Sequence, residues 1–281
     1  ACAYQATTFV DKMELLIPLN FWFTRNIGLA LPILALYNQA VDIAIKLRPF
    51  RELYVVNQAG AEMPPEPEIS ASLLLDYVYL DLEEREQFYK KSHIYLMEQV
   101  QFNGGSNFRK FGQNIKTSIL FHHPVKELVW TLRRNDVVGK PEGLYEGTSY
   151  PKGNDWFNFS LSAARNAPII RDTFTAGTLY FNGIPRMPMQ PAKFFRLLHS
   201  YHVNTNSPTD YIYPFSFGLK PEELQPTGTQ NFSMLSSAYL FLSLPTEIWK
   251  TIPDGFTLSL YGFSYNVLII SQGIAGTLFA C

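Results

Sequence analysis

Apolar and polar residues alternate with a repeat of two along much of the chain. In the stretch VDIAIKL (41–47), every second residue is Val, Ile or Leu, and the residues between include Asp42 and Lys46. Because successive side chains of a strand point to opposite faces, this spacing predicts a half-buried β-strand. Comparable apolar runs bounded by turn residues predict further strands within 14–23, 69–80, 92–102, 116–134, 176–186, 210–219, 236–245 and 255–271.

The last of these runs, GFTLSLYGFSYNVLIIS, changes phase at Gly262. Phe256, Leu258 and Leu260 share one face, whereas the large side chains after Gly262 fall on the other. A glycine at such a point is typical of a bulge or a sharp bend. In contrast, the polar stretch NGGSNFRKFGQN (103–114) predicts a loop.

Two segments have helical patterns instead. DLEEREQFYKK (81–91) has acidic residues in its first turn and lysines in its last, which suits the helix dipole, and we expect Asp81 to cap it. Glu86 and Lys90 are four residues apart and predict an ion pair. A shorter helix is predicted within QPAKFFRLLHS (190–200), with a proline in its first turn. The first helix also predicts a domain junction.

Composition adds a fold class to this pattern. The chain has 281 residues, of which 47% are hydrophobic, 15% aromatic and 17% charged, so it has enough apolar residues for a large core. Many short strands with long connections predict an all-β protein, and a jelly roll rather than a compact immunoglobulin-type sandwich. The net charge of -1 argues against a nucleic-acid partner. The apolar stretch 15–37 is interrupted by prolines and Arg25, so no transmembrane segment is predicted.

Catalytic and metal-binding patterns are weak. Cys2 and Cys281 stand at the two ends of the sequence, so no disulfide framework or cysteine metal site is predicted, and we expect a piece of a longer chain. His199 and His202 have helical spacing, but no acidic or thiol ligand accompanies them at a recognisable offset. Nucleophile-elbow and phosphate-loop motifs are also missing from the sequence. The sequence therefore predicts a protein without catalytic residues, metal or cofactor.

Carbohydrate chemistry is the main alternative. Asn158 and Asn231 begin N-x-S sequons, although an unmodified loop residue is the preferred interpretation of each. Trp156 and Phe157 offer rings on which a sugar could stack, as in a carbohydrate-binding β-sandwich. The apolar alternation favours a different hypothesis, in which Trp156, Phe157 and Phe159 begin a strand and pack inside.

The stretch GLKPEELQPTGTQNFSML (218–235) is a polar connection between two apolar strands. It has no paired acid, base or nucleophile, and its prolines pre-set the backbone and so lower the cost of ordering it in an interface. We therefore predict that it is an assembly loop packed against a neighbouring barrel or subunit. Its candidate contact residues are Lys220, Pro221, Glu222, Glu223, Gln225, Pro226, Thr227, Gly228 and Thr229.

Several stretches together resemble one protein family. LLIPLNFWFTRNIGLALPILAL, LLLDYVYLDLEEREQFYKKSHIYLMEQVQF, FHHPVKELVWTL, the assembly loop and FSYNVLIISQGIAGTLF occur in the order found in major capsid proteins of nucleocytoplasmic large DNA viruses. The resemblance covers almost the whole chain. It implies a double jelly roll, of which this sequence holds the last strands of the first barrel (1–80), a linker helix and strand (81–100) and the complete second jelly roll (101–281).

The same resemblance implies a structural function. Members of the family form homotrimers with a pseudo-hexagonal outline, and these capsomers tile an icosahedral shell. The expected partners are therefore other copies of the chain, neighbouring capsomers and minor capsid proteins, with no direct contact to nucleic acid. The expected location is the virion capsid, assembled in the host cytoplasm.

Overall fold

Two antiparallel sheets packed face to face form the main body of the protein. The computed structural model describes residues 14–53, 65–108, 114–138, 155–162, 171–245, 252 and 254–279. The first sheet has the order β1 (His93–Phe108), β10 (Phe256–Ser271), β3 (Pro124–Arg134) and β7 (Tyr213–Ser216), with β11 (Ile274–Thr277) paired to β10 and β8 (Gln230–Asn231) paired to β3. The second sheet has the order β2 (Asn114–Ser118), β9 (Ala238–Ser243), β4 (Ala176–Phe181) and β5 (Ile184–Pro185), with β6 (Gln190–Pro191) paired to β4.

The core lies between these sheets and confirms the all-β prediction. Trp130 of β3 contacts Phe195 edge-on, with ring centroids 5.0 Å apart, and Phe174 contacts Tyr213 at 4.6 Å. Strands of both sheets contribute alternate buried residues, as in β9, where every second side chain is inside. Burial of such large side chains stabilises the fold by about 1.5–3 kcal/mol each. We call this two-sheet body the sandwich.

The helical predictions hold apart from the Asp81 cap and the place of Pro191, which belongs to β6 and precedes the second helix. Helix α1 spans Leu82–Lys90, and Lys90 Nζ donates a hydrogen bond to Glu86 Oε2 at 2.6 Å, as predicted. Asp81 stands at the N-cap position, but its side chain makes no capping hydrogen bond, so that prediction is wrong. The second predicted helix is observed as a π-helical segment, Phe194–His199, followed by a short α2, Ser200–Val203.

Of the loop predicted at 103–114, residues 103–108 and 114 are strand, and 109–113 lie outside the described residues. β1 continues to Phe108 and pairs with β10 on both sides of a bulge between Phe102 and Gly105. A bulge accommodates one extra residue at Asn103–Gly104 and strand pairing continues after it. The polar, glycine-containing composition therefore predicted a loop where the strand in fact continues. The bulge predicted at Gly262 is not observed, because Gly262 pairs regularly with Gln101 and Leu128 and burial keeps alternating as far as Ser264. The nearby register shift, between Phe263 and Ser264, has its extra residue, Lys126, in β3. Gly262 itself serves packing, since a Cβ there would lie 2.7 Å from the Phe121 ring.

Residues 14–53 and 65–81, which we call the N-terminal part, differ from the sandwich. Their described residues form 3₁₀ turns at Trp22–Thr24, Ile27–Leu29, Ile33–Ala35 and Phe50–Glu52 but no strand, so the strands predicted within 14–23, 41–47 and 69–80 are wrong. A strand needs a neighbouring backbone to satisfy its peptide groups. These three segments are paired with neither sheet of the sandwich.

Candidate assembly surface

The assembly loop, residues 218–235, is closed at its base by two glycines in contact. A Cβ on Gly218 would lie 2.9 Å from the Gly228 carbonyl oxygen, and Gly228 has a φ of +149°. The Lys220 amide donates to Thr227 Oγ1 at 2.9 Å, which holds the two arms of the loop together. The sequence -Pro-Glu-Glu- between them is therefore displayed by a backbone that is fixed at its base. Pro221 is buried, whereas Pro226 is exposed.

Glu222 attaches this loop to the chain that follows α2. Its Oε2 accepts hydrogen bonds from the Thr205 amide at 2.9 Å and from Thr205 Oγ1. The bond to the Thr205 hydroxyl is the main cause that lowers the pKa of Glu222. Next to it, Glu127 Oε1 accepts from Asn204 Nδ2 at 3.0 Å, and burial raises the pKa of Glu127. The loop is thus anchored through a carboxylate that stays charged.

A buried lysine links the loop region to β1 and to the N-terminal part. Lys126 of β3 is only 4% exposed, and its Nζ pairs with Glu98 Oε1 of β1. The other carboxylate oxygen of Glu98 accepts from Arg25 Nη1 at 2.8 Å. Two cations and one carboxylate therefore meet on the outer face of the first sheet. A buried charge is retained only where it is paired, so this contact fixes how residues near Arg25 lie on the sandwich.

The assembly loop and the N-terminal part line one shallow groove. Leu224 of the loop lines it together with Trp22 and Leu29 of the N-terminal part. Leu96, Glu98 and Tyr265 of the first sheet also line the groove, together with Asn26 and Gly28. Its volume is about 340 Å³. The loop therefore meets the segment that carries Trp22 and Leu29, over the outer face of the sandwich.

A third contact between the two parts involves Trp156. The guanidinium carbon of Arg48 lies 4.0 Å from the centroid of this indole, and that of Arg133 lies 4.5 Å from it. Burial, and secondarily the Arg48 charge, lower the pKa of Arg133. Residues 155–162 form no strand and Phe157 is 68% exposed, so the prediction that these aromatics begin a strand and pack inside is wrong. The guanidinium groups of Arg48 and Arg133 lie against the Trp156 ring instead, so this ring is not available to stack on a sugar.

Apolar side chains cover much of the remaining outer surface. In the N-terminal part, only Pro32, Ala35 and Leu36 are buried among the residues whose exposure is described. β1 carries a row of exposed apolar residues on one face. The exposed large side chains in these regions include Leu15, Leu16, Ile17, Ile27, Val41, Ile45, Leu47, Ile69, Leu74, Tyr77, Val78, Tyr79, Ile94, Leu96, Val100 and Phe102. Apolar patches of this extent are typical of surfaces that another protein covers.

The histidines are used for packing. His199 Nε2 accepts a hydrogen bond from the Ser216 amide at 2.8 Å, and its ring stacks on Phe215 with centroids 4.9 Å apart. Burial lowers the pKa of His199. His202 is exposed on α2. Across the part of the chain that the structure describes, no group of three His, Cys, Asp or Glu side chains is arranged to hold a metal ion.

The two sequon asparagines have different environments. Asn158 is 2% exposed, and its Nδ2 donates to the Ser162 carbonyl at 3.2 Å, so the fold would have to open before a glycan could attach. Asn231 is exposed, although its backbone lies in β8 and its Oδ1 accepts from the Ser233 amide at 3.0 Å. An unmodified Asn231 stays the preferred prediction.

Sequence reasoning missed the polar contacts that organise this surface. The signal for one of them was a charged pair, Lys126 and Glu127, inside an apolar strand, where a charge needs a partner. The side chains of Gln101 and Asn103 were also missed. Gln101 donates to the His122 carbonyl at 2.6 Å and accepts from the His122 amide at 2.9 Å, while Asn103 bonds to the backbone of Ser118 and Leu120. Two amide side chains of β1 thus provide hydrogen-bond partners for backbone groups at the end of β2 and in the segment that leads to β3.

Comparison with known families agrees with this architecture. A family described as large eukaryotic DNA virus major capsid protein matches residues 84–276, and one described as major capsid protein N-terminus matches residues 3–81. The chain belongs to the major capsid protein family of large eukaryotic DNA viruses. The family resemblance found in the sequence is thereby confirmed.

Individual capsid proteins match over nearly the whole chain. It is 30% identical to the major capsid protein of Pyramimonas orientalis virus, an alignment that covers 96% of this chain and 62% of that protein. It is 29% identical to the major capsid protein of Paramecium bursaria Chlorella virus 1, with 94% and 66% covered. The chain therefore spans a little under two thirds of the length of these relatives.

Solved capsid structures share the fold. The quasi-atomic model of the PBCV-1 virus capsid has a TM-score of 0.58 and 25% identity, over 73% of this chain and 56% of that one. The PBCV-1 VP54 crystal structure has the same TM-score at 24% identity. These are double jelly-roll capsid proteins, so the predicted fold class is confirmed for this family member. Within the described residues, no helix is both long and apolar enough to cross a bilayer.

Proposed function

We propose that the protein is the structural subunit of a virion capsid, assembled as a homotrimeric, pseudo-hexagonal capsomer that tiles an icosahedral shell of a large double-stranded DNA virus. The observation that carries the proposal is the exposed apolar surface of the N-terminal part and of β1, in a chain of the capsid protein family. Obligate subunit interfaces commonly bury about 2,000 Å² or more and are apolar. A surface of this kind favours permanent burial between subunits.

The domain division of the proposal has three parts. We propose that residues 1–80 belong to the end of the first jelly roll, 81–100 to the linker and 101–281 to the second jelly roll. The described residues of the first of these parts form no strand in this chain. Two separate family matches, to residues 3–81 and 84–276, support a division at the start of α1. β1 starts within the linker and pairs with β10 from His93 onward, so the linker continues directly into the first sheet of the sandwich.

The partners follow from this role. We infer contacts with other copies of the chain, with neighbouring capsomers and with minor capsid proteins, and none with nucleic acid. The subunit acts without catalysis or cofactor, and it assembles in the host cytoplasm. The near-neutral net charge of -1 supports a role in packing rather than in binding the genome.

Native mass spectrometry of the protein, expressed with any chaperone that its folding requires, tests this function. We expect a dominant species with three times the mass of one chain, and six-sided particles in electron micrographs. A monodisperse monomer that binds glycans would contradict the capsid proposal and favour the carbohydrate-binding alternative.

The assembly loop has a proposed part in this function. We infer that it packs against the first jelly roll, because Leu224 lines the same groove as Trp22 and Leu29. Replacing both Pro221 and Pro226 by Gly adds backbone freedom worth about 0.4–1 kcal/mol at each site. We expect the trimer dissociation constant to rise about tenfold while the unfolding midpoint of the sandwich changes less. Equal losses in both measurements, or none in either, would exclude the loop from assembly.

A further inference from the structure

We propose that the turn of the β10–β11 hairpin is a docking site for residues 36–39 and that this contact holds the N-terminal part on the sandwich. We call the two pieces together, Leu36–Gln39 and Ser271–Ala275, the clasp. The inference rests on the proposed function only in treating the N-terminal part as the end of the first jelly roll. It names the surface by which the second jelly roll holds the first.

Three hydrogen bonds join the two pieces of the clasp, one between backbones and two between a side chain of 36–39 and the hairpin backbone. The Asn38 amide donates to the Gly273 carbonyl at 3.1 Å, and Asn38 Nδ2 donates to the Gln272 carbonyl at 3.1 Å. In the other direction, the Ala275 amide donates to Gln39 Oε1 at 2.8 Å. Both pieces therefore donate and accept hydrogen bonds. Peptide groups at the end of the hairpin are bonded to residues more than 230 positions away in the sequence.

Close packing adds a steric requirement at Gly273. A Cβ there would lie 2.8 Å from Tyr37 Cε2 and 2.9 Å from Asn38 Nδ2. Real Cβ atoms essentially never approach a neighbour this closely. The glycine is thus needed for the approach of Tyr37 as well as for its own φ of +82°.

A small apolar cluster lies under the clasp. Ala35, Leu36 and Ile270 are buried together, and Tyr95 and Leu268 pack against them. The Tyr37 ring contacts Tyr89 of α1, with centroids 4.7 Å apart. The clasp therefore lies where three elements meet: the N-terminal part, α1 and the β10–β11 hairpin.

A second hairpin in the same sandwich shows what the clasp adds. The β4–β5 turn at Asn182–Gly183 has φ values of 51° and 81°, and the clasp turn at Gln272–Gly273 has 52° and 82°. Both are two-residue turns with left-handed backbone at each position, the geometry of a type I′ hairpin. A Cβ on Gly183 would meet nothing within 4 Å. The two glycines thus have the same backbone constraint, and only Gly273 has a docked neighbour.

This pair gives a matched experiment. Gly273→Ala and Gly183→Ala impose the same backbone strain, so a difference between them reports the docked contact. Hydrogen exchange with mass spectrometry is measured on peptides that cover 33–41 and 268–279 in each full chain. We expect exchange about tenfold faster in both peptides for Gly273→Ala than for Gly183→Ala, because local opening frees the Asn38 and Ala275 amides. Equal exchange in the two variants would overturn the clasp.

A second variant keeps the test decisive if Gly273→Ala does not fold. Asn38→Ala removes the side-chain donor to Gln272 without any change in a turn glycine. We expect it to speed exchange at 268–279, although residue 38 lies in the other part of the chain; unchanged exchange there would count against docking. The mass of the unmodified protein reports separately on the proposed function. A monomeric protein with a protected clasp would contradict the trimer and leave the clasp supported.

Discussion

The sandwich and the N-terminal part are both rich in apolar residues and use them in opposite ways. In the sandwich, Trp130, Leu240 and their neighbours are fully buried between two sheets. In the N-terminal part most large apolar side chains are exposed, and the segment is held by specific contacts: the Arg25–Glu98 ion pair, the clasp and the Arg48–Trp156 contact. One region is stabilised by its own core, whereas the other is attached to that core and has its apolar residues available for partners.

This difference shows what an alternating pattern specifies. The alternation in VDIAIKL is as regular as that in β9, yet only β9 forms a strand in the structure. Periodicity tells which side chains share a face, but a strand also requires a backbone partner on at least one edge. β9 finds β2 and β4 in the same chain. The described residues provide no such neighbour to 41–47.

A pair of leucine substitutions tests the comparison with the largest expected effect. Leu240→Ala empties a fully buried site in β9, and we expect a loss of about 2–5 kcal/mol in the free energy of unfolding of the sandwich. Leu74→Ala removes the same atoms from a residue that is 82% exposed, and we expect a change below about 0.5 kcal/mol in the unassembled protein. Denaturant titration followed by near-ultraviolet circular dichroism measures both.

The Leu74 substitution should have its larger effect on assembly, not on the stability of the unassembled protein. If the exposed residues are interface residues, Leu74→Ala should weaken capsomer formation measurably. A large loss of unfolding free energy from Leu74→Ala before assembly would show that the N-terminal part has a core of its own.

Removal of the buried lysine should have the next largest effect. Lys126→Met leaves Glu98 with Arg25 as its remaining cationic partner, and we expect a loss of about 3 kcal/mol, the low end for breaking a buried pair. Arg25→Met removes the more exposed cation and should cost below about 1 kcal/mol. Urea unfolding curves give both values. Adding Glu98→Gln to Lys126→Met should recover part of the loss, and no recovery would argue against a charge origin.

A pH titration should give the smallest effect and should concern the sandwich alone. Burial lowers the pKa of His199 below its ordinary value of 6.5, so the folded state favours the neutral ring that accepts from Ser216. The resulting stabilisation is fully present above the pKa of the unfolded state. It is lost as the pH falls from that value through the lower pKa of the folded state. We expect the unfolding midpoint of the wild-type protein to fall more steeply from pH 7.5 to 5.5 than that of His199→Gln. His202→Gln, on the exposed face of α2, should keep the wild-type slope.

Some elements could be predicted because the interactions that stabilise them are local in the sequence. Helix α1 has its dipole-matched ends and its Glu86–Lys90 pair within nine residues, so the prediction needed no distant information. The single strand predicted within 176–186 is instead two strands, β4 and β5, on either side of the Asn182–Gly183 turn. The extension of β1 past Phe102 was not predictable in this way, because β10, far away in the sequence, supplies the ladder that continues through the glycines.

The assembly surface was predictable only in outline. The prolines and polar residues of the assembly loop distinguished it from the other connections between strands. In the structure, its Leu224 lines the groove. Nothing local indicated that Asn38 would bind the turn at Gln272, or that Arg48 and Arg133 would meet at Trp156. Such contacts depend on how the chain returns to itself, and each involves a residue type that is ordinarily exposed.

Hydrogen exchange before and after assembly tests the division between the two parts most directly. Peptides from 65–81 and from 254–271 are compared in the unassembled protein and in the capsomer. We predict that 254–271 is protected in both states, and that 65–81 exchanges rapidly in the unassembled protein and becomes at least about a hundredfold slower in the capsomer, because its apolar residues and free peptide groups are then covered. Rapid exchange of 65–81 in both states would contradict the account.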